Sequence, residues 1–144
     1  MILKIKIKLA CIALTMILLS SCAVKKNQKI EVVKLVETTK SWNGDKLPSY
    51  PEGEPKITVL KITIPPKTTL HKHYHPVINS GILLKGKLKV VDIEGNVLHL
   101  KVGDVIVELV NKIHYGINEG NKPVEIVVFY AGTKDLPITV IEKS

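Results

Sequence analysis

The stretch His71-Lys72-His73-Tyr74-His75-Pro76-Val77-Ile78-Asn79 decides how this 144-residue chain is read. Successive side chains of a strand point to opposite faces, so His71, His73 and His75 share one face when the stretch is extended. A lone histidine is ordinarily a surface or hydrogen-bonded residue, and His99, in Leu98-His99-Leu100, is read that way. Three histidines at spacing two present a row of imidazoles. A second segment runs from Gly103 through His114 to Asn118. One imidazole from it, on a neighbouring strand, completes a three-nitrogen face for a transition metal. The candidate ligands are therefore His73, His75 and His114. His71 lies at the loop entering the strand and is read as an accessory residue.

The surroundings are strand-like. Residues 30–39 alternate in part and read as a first strand. Further runs cover 57–64, 70–75, 81–85, 87–93, 97–101, 105–110, 113–118, 124–131 and 138–141, with turns at Gly86, Glu94-Gly95-Asn96 and Gly103-Asp104. Residues 41–55 hold two glycines and three prolines and read as a loop, with Trp42 and Tyr50 as packing anchors or as walls of a pocket mouth. Behind the N-terminal leader no segment has a helical period. Many short strands with regularly spaced turns indicate an all-β sandwich or barrel.

The two histidine segments resemble the two signature motifs of the cupin superfamily. The first motif reads Gly, five residues, His-x-His, three or four residues, Glu, six residues, Gly. His73 and His75 match its histidines and Gly86 its last glycine, while Asn79 stands at the Glu position and Lys67 at the first Gly. The second reads Gly, five residues, Pro-x-Gly, two residues, His, three residues, Asn. Gly103, His114 and Asn118 fall in register, with Leu109 and Asn111 replacing the Pro and Gly. The stretch 44–140 resembles small bacterial single-domain cupins. The resemblance implies an all-β double-stranded β-helix, or jelly-roll barrel, over residues 30–144. It also implies one divalent transition metal (iron, manganese, nickel, copper or zinc) on His73, His75 and His114, and a homodimer formed through residues 30–39.

Asn79 departs from that pattern. It offers a neutral carbonyl where Glu offers a charged oxygen, so it is expected as a weak fourth ligand. Three neutral imidazoles leave a divalent ion's charge uncompensated, which favours an anionic or enolisable oxygen ligand. Glu108 interrupts the apolar run 105–110 and reads as an outward charge on an alternating strand. Facing inward, it would instead be the candidate general base, with its pKa raised by burial. Asn118 is either a group supporting an imidazole or a turn residue that closes the barrel, with the turn role favoured. Tyr74 and Tyr115 alternate to the other face and read as packing residues.

The N-terminus carries Lys4, Lys6 and Lys8, an apolar run over 9–19, and Leu19-Ser20-Ser21-Cys22. That order of basic, apolar and small residues is a secretory leader, and the run is shorter than the roughly 20 residues of a membrane span. Its end resembles a bacterial lipobox, which implies a leader over 1–21, a lipidated Cys22 and a tether over 22–29. The protein is then lipid-anchored in the cell envelope, at the outer membrane where one exists. Cleavage before Cys22 removes 21 of the 144 residues and leaves 123, one domain's worth. Cys11 leaves with the leader, so the mature domain has neither a disulfide nor a catalytic thiol. Three of the 21 lysines lie in the leader, so 18 face 13 acidic residues, a balance of +5. There is no arginine, the usual reader of phosphate and guanine, and the lysines are scattered, which argues against nucleic acid as a partner.

Three functions fit these observations. One is a metal-dependent oxygenase, isomerase or lyase acting on a small oxygen-rich molecule. Another is a non-catalytic lipoprotein that holds a metal or small ligand in its barrel. The third is a metal-free structural domain whose histidines are satisfied by hydrogen bonds. For the anchor, Cys22→Ala is expected to abolish acyl labelling and to release the protein from membranes in fractionation. Membrane retention without labelling of the wild type would show an uncleaved leader instead.

Overall fold

Aliphatic residues at alternate positions build the barrel. A computed structural model describes residues 29–143; the leader, Cys22 and all but the last tether residue lie outside the described residues. Among the described residues, 34–143 form one compact unit and 29–33 are grouped apart from it. The strands are β1 (Pro55–Ile64), β2 (Thr68–Thr69), β3 (His73–Tyr74), β4 (Ile78–Lys85), β5 (Lys87–Asp92), β6 (Val97–Lys101), β7 (Val105–Val107), β8 (His114–Asn118), β9 (Val124–Thr133) and β10 (Val140–Ile141). Among the described residues there is no helix, and so none able to cross a membrane.

One sheet runs β1-β9-β4-β7; the other runs β10-β3-β8-β5-β6, with β2 also on β8. The inward residues of both sheets form a single core that includes Ile64, Leu83, Leu88, Val90, Ile126 and Val128. This is the all-β double-stranded barrel expected from the pattern of strands.

Register places the inward residues in layers. On β8 the inward residues are His114, Gly116 and Asn118. On β5, Asp92 lies opposite His114 and Val90 opposite Gly116. On β9 the inward residues Tyr130, Val128 and Ile126 follow one another, with Leu60 opposite Val128 and Ile62 opposite Ile126 on β1. Each two-residue step along a strand advances about 7 Å. Polar groups thus gather around His114 and Tyr130, and aliphatic layers follow along the barrel. Asp92 anchors the histidine end: its carboxylate accepts from the backbone N–H of Glu94 at 3.0 Å and of Asn96 at 2.9 Å. Burial alone would raise its pKa, but these donors, with the Asn96 and Asn43 amides, outweigh burial and hold it below the ordinary range.

Two expectations are corrected. Residues 30–38 form no strand, and Ile30, Val32, Val33, Leu35 and Val36 are exposed. The adjacent pairs Val32-Val33 and Leu35-Val36 break the period of two, so no single face can bury them. The histidine strand is also shorter than residues 70–75. It holds only His73–Tyr74, and His75 makes an isolated bridge to Val110 before Pro76 ends the pairing.

The departures from the glycine positions of the motifs have a backbone signature. Lys67 and Asn111 are the two non-glycine residues with positive φ among the described residues, at 55° and 57°. The left-handed turns are kept, and side chains that disfavour them are tolerated there. Asn suits that conformation better than Lys. Lys67→Gly is therefore expected to raise stability by about 1 kcal/mol, read as a higher midpoint in urea unfolding, with a smaller gain for Asn111→Gly. No gain at Lys67 would show that its Nζ bond to the Glu119 carbonyl, 2.7 Å long, outweighs the strain.

Candidate metal centre

The backbone aims three imidazoles at one another. His73 comes from β3, His114 from the start of β8, and His75 from the bridge beside Val110. His73 and His114 are direct register partners. The ring centroids lie 4.7–5.0 Å apart pairwise. One ring nitrogen from each lies within 4.8 Å of the others. His75 and His114 are buried and His73 is half-buried.

Each ring is held by the same device. Nδ1 of His73 meets the His71 carbonyl at 2.8 Å, that of His75 the Ile138 carbonyl at 2.8 Å, and that of His114 the Lys112 carbonyl at 2.9 Å. A carbonyl only accepts, so each Nδ1 carries the proton. In the neutral rings the Nε2 lone pairs are then directed away from the backbone and available to a cation, the arrangement that backbone partners impose on metal-binding imidazoles.

Glu108 joins them, which corrects its outward reading. Its carboxylate lies 2.8 Å from His114 Nε2 and 3.7 Å from His75 Nε2, and its side chain is only 13% exposed. Glu108 lies one residue past β7, where the alternation ends and Leu109 is also buried; its N–H donates to the Asn79 carbonyl at 3.2 Å and its carbonyl accepts from the Ser41 hydroxyl at 2.8 Å, which holds its backbone in place. The expected rise in pKa is also reversed. Burial pushes the Glu108 carboxyl up, but the neighbouring His114 and His75 rings outweigh it and hold it well below the ordinary range. The same pairing raises His114 against the effect of burial, whereas burial and the two neighbouring imidazoles lower His73.

The donor set fits a divalent ion. A buried carboxylate faces three imidazoles, and among the described residues no lysine walls the cavity, so positive charge within these walls comes from a proton or a metal. His114 Nε2 is buried and, although close to Glu108, has no aligned hydrogen-bond partner. A buried nitrogen so placed, 2.8 Å from a carboxylate, fits a shared proton or a metal ion.

The other candidates are placed as follows. Asn79 is buried on β4 opposite Tyr130, its Oδ1 has no partner, and it does not wall the cavity. His71 is exposed at the cavity wall and contributes its carbonyl to His73. Asn118 is buried two layers away; its amide donates to the carbonyls of Ile64, Pro65 and Lys122, at 2.8–3.0 Å, and its oxygen accepts from Gly120 N–H. It ties the β1 end to the turn after β8. His99 is exposed, Trp42 packs against the core, and Tyr50 is exposed; none of the three walls the cavity.

Two wall residues had no signal in the sequence. Tyr130 packs edge-on against His75, with ring centroids 5.5 Å apart, and burial together with the Glu108 charge pushes its pKa up to about 12. Thr139 places Oγ1 3.2 Å from His75 Nδ1. Both depend on contacts between segments far apart in the chain.

The fold and the site define an all-β double-stranded barrel with three histidines converging in its interior. Residues 60–130 match the family model described as Cupin domain, so the chain carries a cupin-superfamily domain. No curated protein matches it. An uncharacterized conserved protein with a double-stranded β-helix domain from Klebsiella pneumoniae is 21% identical, with TM-score 0.51, over 65% of this chain and 89% of that one. The DMSP lyase DddQ from Ruegeria pomeroyi is 16% identical, with TM-score 0.53, over 59% of this chain and 42% of that one. An oxalate oxidase is 20% identical, with TM-score 0.51, over 59% of this chain and 45% of that one. The chain spans less than half of the lyase and of the oxidase, and at these identities the likeness is one of fold.

Removing a ring nitrogen and removing the carboxylate should differ in titration calorimetry with zinc. Glu108→Gln is expected to weaken binding roughly 10–100-fold, His75→Ala by more, and Asn79→Ala by less than either. Zinc binding by His75→Ala equal to that of the wild type would contradict the site.

Proposed function

We propose that this domain binds one divalent metal on Nε2 of His73, His75 and His114, with Glu108 as the adjoining carboxylate, and holds a small oxygen-bearing ligand beside it. One observation carries this reading: a buried carboxylate set against three imidazoles whose other nitrogens are all tied to backbone carbonyls. Glu108 supplies the negative oxygen that Asn79 cannot, and it does so from the other motif segment. Asn79 is then a polar neighbour on β4 rather than the principal fourth donor. Iron, manganese, nickel, copper and zinc all suit such a donor set.

A bound divalent ion supplies Lewis-acid polarisation of a ligand oxygen. The chain's own residues do the rest. The Nδ1 bonds fix the rings, Tyr130 and Thr139 pack beside His75, and Glu108 holds a negative charge beside the bound ligand. That arrangement supports oxygenase, isomerase or lyase chemistry. The second reading, a binding lipoprotein without turnover, is favoured by the absence of a second carboxylate or a lysine among the cavity walls.

We place the domain in the cell envelope on a lipidated Cys22, and we propose that it pairs as a homodimer. Support for pairing is the exposure of Ile57, Val59 and Phe129 on the β1–β9 sheet, and of the apolar residues in 30–36. Protein purified without a histidine tag or added metal is expected to contain about one equivalent of a divalent transition metal by elemental analysis. A substoichiometric trace would instead favour the metal-free domain. Turnover of a candidate substrate by the loaded protein separates enzyme from binder.

A further inference from the structure

The cavity that holds the histidines has a volume of about 260 Å³ and two chemically different ends. Its polar walls are the four histidines, Glu108, Tyr130 and Thr139. His73 faces His114 in register, and ring contacts and the Thr139 hydroxyl gather His75, His114, Tyr130 and Thr139 at one end, whereas His71 falls beside Gly116 and is exposed. Beyond that end the walls are Val90 and Val128, then Leu88, Ile62 and Ile126, all aliphatic. Gly116 makes the room. It follows His114 on the inward face of β8, and a Cβ there would stand 3.3 Å from Leu70 Cδ1 and 3.4 Å from Leu88 Cδ1.

This wall chemistry decides what can fill the space. A hydroxyl or second carboxylate placed among Val90, Val128 and Leu88 would meet only hydrocarbon, the one polar wall residue outside the histidine end being the exposed His71 at the mouth. A methylene placed there gains from burial. We propose that the ligand is a short molecule with one oxygen-bearing head and an apolar body, the head at the histidines and Glu108 and the body along the aliphatic layers. Polyols, sugars and short dicarboxylates are selected against. This narrows the oxygen-rich ligand suggested by the sequence to one that is oxygen-bearing at a single end. The proposal about the head rests on the metal reading above; the proposal about the body rests on the cavity walls alone.

The test uses the mature full-length domain, with and without one equivalent of zinc. Acetate, butyrate and hexanoate are titrated into the zinc-loaded protein, followed by oxalate and adipate. Methyl resonances of Leu88, Val90 and Ile126 report where the body sits. Affinity is expected to rise about fourfold per methylene until the cavity is filled. Adipate, in which a carboxylate replaces the terminal methyl of hexanoate, should bind at least about 10-fold more weakly than hexanoate. A flat series, or oxalate or adipate binding as tightly as hexanoate, overturns the proposal. Gly116→Val should lower hexanoate affinity more than acetate affinity, and equal losses would contradict it.

The zinc-free arm compares 1-hexanol with 1,6-hexanediol. A preference for hexanol, with shifts at the same methyl groups, supports the apolar body even in a protein that binds no zinc. Equal binding of the two, or shifts elsewhere, counts against it. Failure to bind zinc with hexanol still preferred sinks the metal reading alone.

Discussion

Everything at the centre depends on three Nδ1–H bonds to backbone carbonyls. Without them each imidazole could flip or exchange its proton between nitrogens, and three Nε2 lone pairs would not be held facing one another. The acceptors come from different parts of the chain: His71 and Lys112 each lie two residues before the ring they hold, and Ile138 belongs to the C-terminal segment. The local acceptors follow from the turns that enter β3 and β8. The distant one requires β10 to pair with β3, as Val140 does with Tyr74. The short last strand therefore contributes to the orientation of the site as well as to closing the barrel.

The same barrel separates charge from hydrocarbon. Glu108, with the imidazoles, occupies one layer, and the aliphatic pairs of β1 and β9 occupy the next ones. A buried carboxylate is costly unless a cation meets it. Here it is close to nitrogens that can either take a proton or share a metal, so the site is suited to exchange one positive charge for another. Asp92 shows the contrasting solution: its charge is held by hydrogen-bond donors of its own turn, which leaves it structural.

Much of this was legible in the residues. Alternation and turn chemistry marked most strands, and the run 97–101 coincides with β6. The spacing of His73, His75 and His114 pointed to their convergence, because strand periodicity and the motif register agree. The inward placement of Glu108 was not legible, because its charge argues for solvent and the strand alternation that would place it stops at Val107, with both Ile106 and Leu109 buried. Residues 30–39 looked like a strand because their composition is right, yet a strand also needs a ladder partner and one buried face. Tyr130, Thr139 and the Ile138 carbonyl could not be read, since nothing local marks contacts made across more than fifty residues, as between His75 and Tyr130 or Ile138. The left-handed turns at Lys67 and Asn111 were hidden for the opposite reason: the residue that usually signals them is absent.

The central claim is that backbone-anchored imidazoles present three Nε2 atoms to one cation. Long-range proton–nitrogen correlation spectra of the histidine rings test it most directly, recorded before and after one equivalent of zinc. The account predicts an Nδ1-protonated tautomer for neutral His73 and His75 and for His114 once zinc is bound, with zinc shifting the Nε2 resonance of all three rings. An Nε2-protonated ring among them in the loaded protein, or Nε2 resonances that ignore zinc, would contradict it.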